Sequence, residues 1–313
     1  MSNGHPDLIP DLIPLVRGVE HWALKGAVRL FLWQKTRVPG TEYRGTILFI
    51  HGSSWASQPT FDLYVAGRPF SSVMDWFAAR GFDTWCLDNE GYGRSDKHRP
   101  INCGVANGAD DIVAATDYIM RTTGLERFLL YGISSGALKS AMFTERHPER
   151  VARLALDAFV WTGEGAPTLV ERRKKLPQYL ASNRHPFTRE LIRSVFERDH
   201  LGAAEPAMIE AFATAALALD DSVPTGTYVD MCTKLPLVDP ARVTVPTLMM
   251  RGEYDGVAGF DDLIEFFRRL PNPDKQFSMM PGVAHASFQQ TNYLMVYAIL
   301  HAFFSQPVPV FRG

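Results

Sequence analysis

The five residues Gly132–Gly136, with the sequence GISSG, constrain the fold of this 313-residue chain more than any other segment. They follow the apolar run Phe128 to Tyr131, which predicts a buried strand. The residues from Ala137 to Met142 favour a helix. Glycine at both ends of the motif permits a sharp turn, because only so small a side chain fits where the turn crosses neighbouring backbone. The segment therefore predicts a buried strand that turns abruptly into a helix.

Such a turn would present a serine as a nucleophile. In the pattern Gly-x-Ser-x-Gly the central residue is Ser134, which we expect in a strained conformation at the carboxyl end of the strand. The helix that follows provides free backbone N–H groups beside the hydroxyl. Ser135 competes for this role, but its flanking positions are Ile133 and Ala137 rather than glycine. We therefore predict Ser134 as the nucleophile.

A nucleophilic serine needs a base and an acid elsewhere in the chain. Its hydroxyl reacts poorly at neutral pH, so a histidine must take the proton and a carboxylate must orient that histidine. The pattern from Pro246 to Asp255 predicts a buried strand and a loop that carries Asp255. The pattern from Lys275 to His285 predicts a last strand and a loop that carries His285. The chain thus has the order serine, acid, histidine, each after a strand.

Two other carboxylates compete with Asp255 for the role of the acid. Asp157 lies near the end of the preceding strand, and Glu253 lies two residues before Asp255. Asp255 fits better because it belongs to the loop after its strand, whereas Asp157 is followed by more apolar residues. We predict Asp255 as the acid and keep Asp157 as the alternative.

Two upstream motifs extend this pattern. The residues Gly45–Trp55, GTILFIHGSSW, combine an apolar strand with a His-Gly loop. The residues Cys86–Asp96, CLDNEGYGRSD, contain a D-x-x-G-x-G-x-S turn. A nucleotide-binding loop is excluded there, because the third glycine of G-x-G-x-x-G would fall at Asp96, and no P-loop motif exists. Together with the serine, acid and histidine motifs, these segments resemble the α/β-hydrolase superfamily from about His21 to Phe304.

The resemblance implies an α/β fold with a mostly parallel, doubly wound sheet. It also implies an oxyanion hole made by two backbone N–H groups, that of Ser135 and one from the His-Gly loop, which we assign to Ser53. Each donor is expected to lower the barrier by roughly 3 kcal/mol. Haloalkane dehalogenases and epoxide hydrolases share the architecture but use an aspartate nucleophile, so the serine at position 134 disfavours both.

The order of apolar and helical patterns also indicates a mostly parallel sheet with helices on both faces. The segment Trp22 to Thr36 predicts an antiparallel hairpin that starts the sheet. The predicted helices of this region are Phe70 to Arg80, Ala106 to Arg121, Phe260 to Leu270 and Asn292 to Phe304.

The regular alternation stops after Val160 and resumes at Val245. The residues between them are rich in helix formers, notably Arg189 to Arg198 and Ala207 to Leu219, and exceed an ordinary connection. We predict a helical cap over residues 161–241 and a core domain that comprises residues 1–160 and 242–313. Such a cap would exclude water from the site and form the substrate pocket.

Aromatic and basic residues of the insertion and its surroundings suggest how a substrate is bound. The charge run around Arg172 and Arg173 is of a kind that usually forms a solvated helix face, and the alternative is that one arginine binds a substrate carboxylate. Core packing explains Trp161 as well as a pocket role does. The residues that we predict to line the pocket are Ser54, Trp55, Trp161, Tyr228 and Met231.

Composition limits the partners of the chain. A hydrophobic share of 46% supports a large core, and a net charge of −2 provides no long-range attraction to nucleic acid or an anionic membrane. The three cysteines match no zinc or redox spacing, and Met1 to Pro10 lacks the positive charge of a signal peptide. We expect a cytoplasmic protein that binds no nucleic acid and no membrane, and that needs no metal or cofactor.

These patterns predict a serine hydrolase that cleaves a carboxylic ester of a small to medium, apolar or aromatic compound through an acyl-enzyme. Its partner would be that small-molecule ester, and a homodimer stays open. A carbon-carbon bond hydrolase or a lactonase would use the same triad and differ only in pocket groups. A non-catalytic small-molecule receptor is the rival from another class, because a fold does not fix a function.

Overall fold

The computed structural model describes residues 16–311, so the interpretation of Met1 to Pro10 concerns residues outside this range. Its main feature is an eight-stranded sheet, and a separate two-stranded sheet lies in the insertion. The strands are β1 (Gly18–Lys25), β2 (Val28–Lys35), β3 (Gly45–Ile50), β4 (Phe82–Leu87), β5 (Phe128–Ile133), β6 (Val151–Asp157), β7 (Arg184–Pro186), β8 (Ser222–Pro224), β9 (Thr247–Gly252) and β10 (Lys275–Met280).

Helices connect these strands and cover the sheet. They are α1 (Ser57–Phe61), α2 (Val73–Ala78), α3 (Val105–Thr123), α4 (Ser135–Arg146), α5 (Pro167–Lys174), α6 (Leu176–Ala181), α7 (Arg189–Glu197), α8 (Pro206–Leu217), α9 (Gly226–Thr233), α10 (Phe260–Arg269) and α11 (Tyr293–Phe304).

The strand order of the main sheet is β1-β2-β4-β3-β5-β6-β9-β10. The predicted hairpin is confirmed, since β1 pairs with β2 in antiparallel register and β2 pairs antiparallel with β4. All other neighbours pair in parallel. The carboxyl ends of β5, β6, β9 and β10 therefore meet at one edge, which is where open α/β sheets bind their ligands.

The sheet is buried on both faces, as the predicted doubly wound fold requires. In β3, Leu48 and Ile50 belong to an apolar cluster with residues of α3, α4 and α10. The alternate residues Ile47 and Phe49 belong to a second cluster, with residues of α2 and α11. This two-sided burial explains why the strands appear in the sequence as nearly continuous apolar runs.

The predicted helices are found, with one marked change of length. The helix predicted over Phe70 to Arg80 is shorter, because Ser72 acts as its N-cap and accepts a hydrogen bond from the Asp75 N–H. Phe70 lies before this cap with φ at 52°, outside helical backbone conformation. Hydrophobic spacing predicted the buried face here, but the side-chain cap decided where the helix begins.

The inserted segment, residues 158–246, carries α5 to α9 and the antiparallel pair of β7 and β8. Its residues Ile192 and Phe212 form a third apolar cluster with Trp55, Tyr92 and Ala286 of the surrounding loops. Polar contacts add to this packing. The Asp220 carboxylate accepts from the Gly93 N–H at 2.9 Å, and the Asp230 carboxylate accepts from the Val105 N–H at 2.8 Å. The inserted segment therefore packs on the loops at the carboxyl edge of the sheet.

Candidate active site

The turn between β5 and α4 has the strained geometry that its sequence predicts. Ser134 has φ at 58° and ψ at −124°, a combination that non-glycine residues rarely adopt. A Cβ atom at Gly132 would lie 2.4 Å from the Gly136 carbonyl oxygen, and one at Gly136 would lie 2.3 Å from the Ile50 carbonyl oxygen. Both positions therefore require glycine, because a larger side chain would overlap backbone atoms.

Ser134, His285 and Asp255 form one chain of hydrogen bonds at the carboxyl edge. The distance from His285 Nε2 to Ser134 Oγ is 3.0 Å, and that from His285 Nδ1 to Asp255 Oδ1 is 2.9 Å. The carboxylate assigns the ring proton to Nδ1, which leaves Nε2 as the acceptor for the serine proton. All three side chains are buried. The arrangement can deprotonate Ser134 during attack on an electrophile.

Asp255 is held in place by the loop that follows β9. Its Oδ1 accepts from the Val257 N–H at 2.9 Å and from the Ala258 N–H at 3.3 Å. Burial alone would raise the pKa of Asp255. The adjacent His285 and the Val257 N–H outweigh burial and lower this pKa below the usual value, so the carboxylate stays ionised beside the histidine.

The alternative acid, Asp157, has other partners. Its Oδ2 accepts from the Tyr131 hydroxyl at 2.6 Å, and its Oδ1 accepts from Ser287 Oγ at 3.0 Å. Burial raises the pKa of Asp157 to about 7. Glu253 accepts from the Gly282 N–H at 2.8 Å. Neither carboxylate is bonded to His285, so the geometry supports Asp255 as the acid.

The competing serine, Ser135, is also otherwise engaged. Its Oγ is fully buried and accepts a hydrogen bond from Ser53 Oγ at 2.9 Å. Ser53 Oγ in turn accepts from Thr227 Oγ1 of the inserted segment, again at 2.9 Å. This chain of hydroxyl groups leaves Ser134 as the serine that contacts His285.

The two residues predicted to supply the oxyanion donors lie beside Ser134. Ser135 is the first residue of α4, so its backbone N–H has no acceptor within that helix. The loop that carries Ser53 runs close to Ser134, since a Cβ atom at Gly52 would lie 3.3 Å from Ser134 Cβ. The Tyr92 hydroxyl holds this loop through a 2.9 Å bond to the Ser53 carbonyl oxygen. These contacts bring the loop that carries Ser53 and the first residue of α4 close to Ser134.

A buried lysine supports the same loop. Lys139 Nζ, on α4, donates to Asn89 Oδ1 at 2.9 Å and to the His51 carbonyl oxygen at 3.4 Å. Burial lowers the pKa of Lys139 to about 8. The His51 ring bridges the Gly52 carbonyl oxygen and the Asn89 N–H, and burial lowers the pKa of His51 well below its usual value. The neutral His51 ring therefore stabilises the loop through these two hydrogen bonds.

A small cavity of about 20 Å³ lies above Ser134, which is space for about one water molecule. It is lined by residues of the elbow, the His-Gly loop, the histidine loop and the inserted segment. Its lining residues are Gly52, Ser53, Ser54, Trp55, Thr60, Ile133, Ser134, Arg172, Val195, His285, Ala286 and Gln289. Trp55 stacks on Phe196 with ring centroids 5.5 Å apart, so an aromatic wall closes one side.

Three of the five predicted pocket residues lie at or next to the cavity. Ser54 and Trp55 line the cavity. Tyr228 lies behind Ser54, with its hydroxyl 2.7 Å from Ser54 Oγ. Of the two arginines that the sequence left undecided, Arg172 lines the cavity, while Arg173 is exposed.

Two of the residues predicted to line the pocket do not line this cavity. Trp161 packs on Phe266 at a ring distance of 5.8 Å, and its indole N–H donates to the Val238 carbonyl oxygen at 3.1 Å. Met231 is fully buried in the cluster that contains Trp161. Both side chains are enclosed by the core and do not line the cavity, because their apolar surface packs on other apolar side chains.

Comparison with known proteins supplies a family for this site. Residues 41–292 match the family model described as serine aminopeptidase, S33. The chain belongs to this family. A proline iminopeptidase of Neisseria meningitidis is 36% identical to the S33 chain over 70 residues, which is 22% of each protein. That relative is therefore matched over about a fifth of its length.

Solved structures show that the S33 chain has the α/β-hydrolase fold. A 2-hydroxy-6-oxo-6-phenylhexa-2,4-dienoate hydrolase from Rhodococcus sp. superposes with a TM-score of 0.66 at 16% identity, covering 92% of this chain and 99% of the other. A thermophilic esterase from Thermogutta terrifontis superposes with a TM-score of 0.63 at 18% identity, covering 91% and 97%. At such identities the likeness establishes the fold.

Several residues around the site of the S33 chain belong to no sequence motif that could have identified them. The buried Arg68 donates to the carbonyl oxygens of Phe288, Gln289 and Gln290, which belong to the histidine loop. Thr227 and Gln289 were likewise not identified from the sequence. Lys139 offered a signal, because a lysine between apolar residues on the buried face of α4 interrupts the amphipathic pattern.

Within residues 16–311, no three histidine, cysteine, aspartate or glutamate side chains are grouped so as to hold a metal ion. In the same range, no helix has the length and apolar character needed to cross a membrane.

Proposed function

We propose that this protein is a serine hydrolase that cleaves a carboxylic ester of a small to medium, apolar or aromatic compound through an acyl-enzyme. The observation that carries the proposal is the hydrogen-bond chain from Ser134 Oγ through His285 to Asp255, with distances of 3.0 and 2.9 Å. A nucleophile, a base and an orienting carboxylate in this order are the requirements of acyl transfer.

In the proposed reaction, Ser134 Oγ attacks the ester carbonyl carbon while His285 Nε2 takes the serine proton. The N–H groups of Ser53 and Ser135 bind the oxyanion of the tetrahedral intermediate. His285 then returns the proton to the leaving alcohol, and the acyl group remains on Ser134. A water molecule, deprotonated by His285, attacks the acyl-enzyme and releases the acid, which restores Ser134.

We further propose that the inserted segment is the cap of this site. Arg172 and Val195 of that segment line the cavity directly above Ser134. The cavity of about 20 Å³ is smaller than any ester of the proposed class. The inserted segment or its side chains must therefore move to admit a substrate, and their return would exclude bulk water from the acyl-enzyme.

The family name raises the possibility of aminopeptidase activity, which the cavity disfavours. An aminopeptidase must recognise a protonated amino terminus, and such a group needs a carboxylate or other acceptor near the nucleophile. The only charged or titratable residues that line this cavity, among those that the structure describes, are Arg172 and His285. The arginine would repel an ammonium group. An ester, a lactone or a carbon-carbon bond beside a carbonyl meets no such repulsion.

Two assays test the proposal against its rivals. Labelling with a fluorophosphonate, followed by mass mapping, should modify the peptide that contains Ser134. Hydrolysis of 4-nitrophenyl butyrate should begin with a burst of nitrophenolate, which a non-catalytic receptor would not give. We expect Ser134→Ala to lower kcat by about 10⁴- to 10⁶-fold, since members of a triad act as a unit. Ser135→Ala is the matched control, and equal loss in both variants would contradict the assignment of the nucleophile.

The type of bond that the enzyme cleaves can be identified by comparing kcat/KM for three classes of substrate. A panel with a matched ester, lactone and vinylogous diketone separates the esterase from the lactonase and the carbon-carbon bond hydrolase. The proposal predicts the highest kcat/KM for the ester. A higher value for either other substrate would replace the ester by that bond type while leaving the nucleophile assignment in place.

A further inference from the structure

Within residues 16–311, Arg172 is a buried cation at the cavity that has no carboxylate partner. Only 9% of its surface is exposed, and it lines the cavity together with Ser134 and His285. Its Nη1 atom is buried and makes no hydrogen bond. Among residues 16–311, no carboxylate lies within 4.0 Å of its guanidinium group. The guanidinium carbon instead lies 5.3 Å from the centroid of the Tyr228 ring.

Two other largely buried basic side chains have carboxylate partners, whereas the buried Arg68 and Lys139 donate to carbonyl or amide oxygens. Lys35 contacts Asp62 at 2.6 Å, and Arg153 contacts Asp274 at 3.0 Å. Next to the site, Arg198 contacts Asp199 at 3.4 Å. Arg172 therefore differs from the cations that stabilise the fold through ion pairs.

An unpaired guanidinium is costly to bury. Arginine stays protonated at any physiological pH, so it cannot relieve the cost by losing its charge. The free-energy cost of removing a guanidinium group from water is offset only when an anion and hydrogen-bond acceptors replace the lost solvent. The geometry of Arg172 thus suggests that its partner arrives with the ligand.

We propose that Arg172 binds a free carboxylate of the substrate, so that the preferred substrates are monoesters that keep one ionised carboxyl group close to the scissile carbonyl. This inference rests on the proposed function of the site. A carboxylate fits because its two oxygens match two parallel N–H groups of the guanidinium fork. It must lie close to the scissile group because Arg172 and Ser134 line the same small cavity.

The neighbouring arginine provides a matched control. Arg173 follows Arg172 on α5, and consecutive helical side chains point about 100° apart. Arg173 is accordingly exposed and lies beside a surface depression formed with Gly163, Glu164 and Val170. Replacing either arginine by methionine removes the same charge and keeps much of the aliphatic chain. Only the change at position 172 alters the cavity.

The kinetic test compares acids with their neutral esters. One pair is 4-nitrophenyl hydrogen glutarate and its methyl ester, with the carboxylate on the acyl side. The other pair is 4-acetoxybenzoate and its methyl ester, with the carboxylate on the leaving side. The measured quantity is kcat/KM for the acid divided by kcat/KM for its methyl ester. For at least one pair, we expect Arg172→Met to lower this ratio by about ten- to a hundredfold. Arg173→Met should keep the wild-type ratio, so an equal decrease in both variants, or in neither, would overturn the inference.

A binding measurement tests the carboxylate site without requiring the protein to turn over a substrate. Glutarate should raise the Tm of the wild-type protein and of Arg173→Met, and it should leave the Tm of Arg172→Met unchanged. Without glutarate, Arg172→Met should be at least as stable as the wild type, because it loses a buried charge that has no partner. A marked loss of stability in Arg172→Met would instead identify the guanidinium as a structural group and overturn the inference.

The two proposals fail in distinguishable ways. A burst with 4-nitrophenyl butyrate but no preference for either acid and no stabilisation by glutarate would refute the carboxylate site alone. Stabilisation by glutarate that depends on Arg172, without any burst, would support the carboxylate site and refute the serine hydrolase.

Discussion

Asp157 Oδ1 accepts a hydrogen bond from Ser287 Oγ at 3.0 Å. Ser287 lies two residues after His285, so this bond ties the end of β6 to the loop that carries the histidine. Asp157 therefore influences the position of the His285 loop without contacting the imidazole. Asp255, in contrast, contacts that ring directly at 2.9 Å.

Replacing each of these carboxylates by its amide should separate their roles. We expect Asp255→Asn to lower kcat by about 10⁴-fold, because an amide at this position favours the wrong histidine tautomer. Asp157→Asn should lower kcat by less than about tenfold, since its effect passes through the loop. Steady-state kinetics of the two variants on one neutral ester are the measurement. If Asp157→Asn caused the larger loss, the acid would have to be reassigned.

The buried Asp157 should also make stability depend on pH. Burial raises the pKa of Asp157 to about 7, whereas the unfolded chain titrates near the usual aspartate value. Between these two values the folded protein holds a proton that the unfolded chain has released, so this residue lowers stability as pH rises from about 4 to 7.

Denaturation of the wild type and of Asp157→Asn at several pH values measures this effect. The difference in free energy of unfolding, wild type minus variant, should fall by at most about 1.4 kcal/mol for each pH unit between about 4 and 7. It should become constant above that range. A difference that does not vary with pH would show that Asp157 is ionised in the folded protein throughout.

Arg68 should position the histidine loop. Its guanidinium donates to the carbonyl oxygens of Gln289, Phe288 and Gln290 at 3.2, 3.1 and 2.7 Å. Arg68→Met would leave these acceptors without a partner, and we expect the free energy of unfolding to fall by about 2 to 4 kcal/mol. Displacement of the adjacent His285 should lower kcat more than it changes KM.

A matched control for Arg68 is Arg29→Met. Both guanidinium groups lie over an aromatic ring, Arg68 over Tyr293 at 3.8 Å and Arg29 over Trp22 at 4.3 Å, but Arg29 is exposed. Its replacement should change stability by less than about 0.5 kcal/mol. Urea denaturation and steady-state kinetics on both variants are the measurement, and equal effects would refute a positioning role for Arg68.

Trp55 and Trp161 should affect different properties of the protein. Trp55 lines the cavity, so Trp55→Ala should change the ratio of kcat/KM between 4-nitrophenyl acetate and 4-nitrophenyl octanoate by tenfold or more. Trp161→Ala should leave that ratio within about twofold and lower the free energy of unfolding by about 3 to 5 kcal/mol. If only Trp161→Ala changed the ratio of kcat/KM between the two esters, Trp161 and not Trp55 would contact the substrate.

Local patterns predicted the larger part of the fold. The apolar runs that became β5, β9 and β10, and the periodic segments that became α3 and α10, depend on hydrophobic spacing within a few residues. The elbow is equally local, because Gly132 and Gly136 are required by backbone atoms close to them. The start of α2 was less well predicted, since a single serine cap displaced it from the hydrophobic pattern.

The sequence by itself determined the class of fold, the position of the elbow and the chain order of serine, acid and histidine, because hydrophobic periodicity and glycine sterics act over short ranges. Only the tertiary structure decided that His285 contacts Asp255 and not Asp157, and that Arg172 and not Arg173 reaches the cavity. It also placed Trp161 and Met231 in the apolar core, away from this cavity. These choices depend on how distant segments pack against one another, and a one-residue step on α5 rotates a side chain by about 100°. No local pattern encodes that rotation relative to the rest of the molecule.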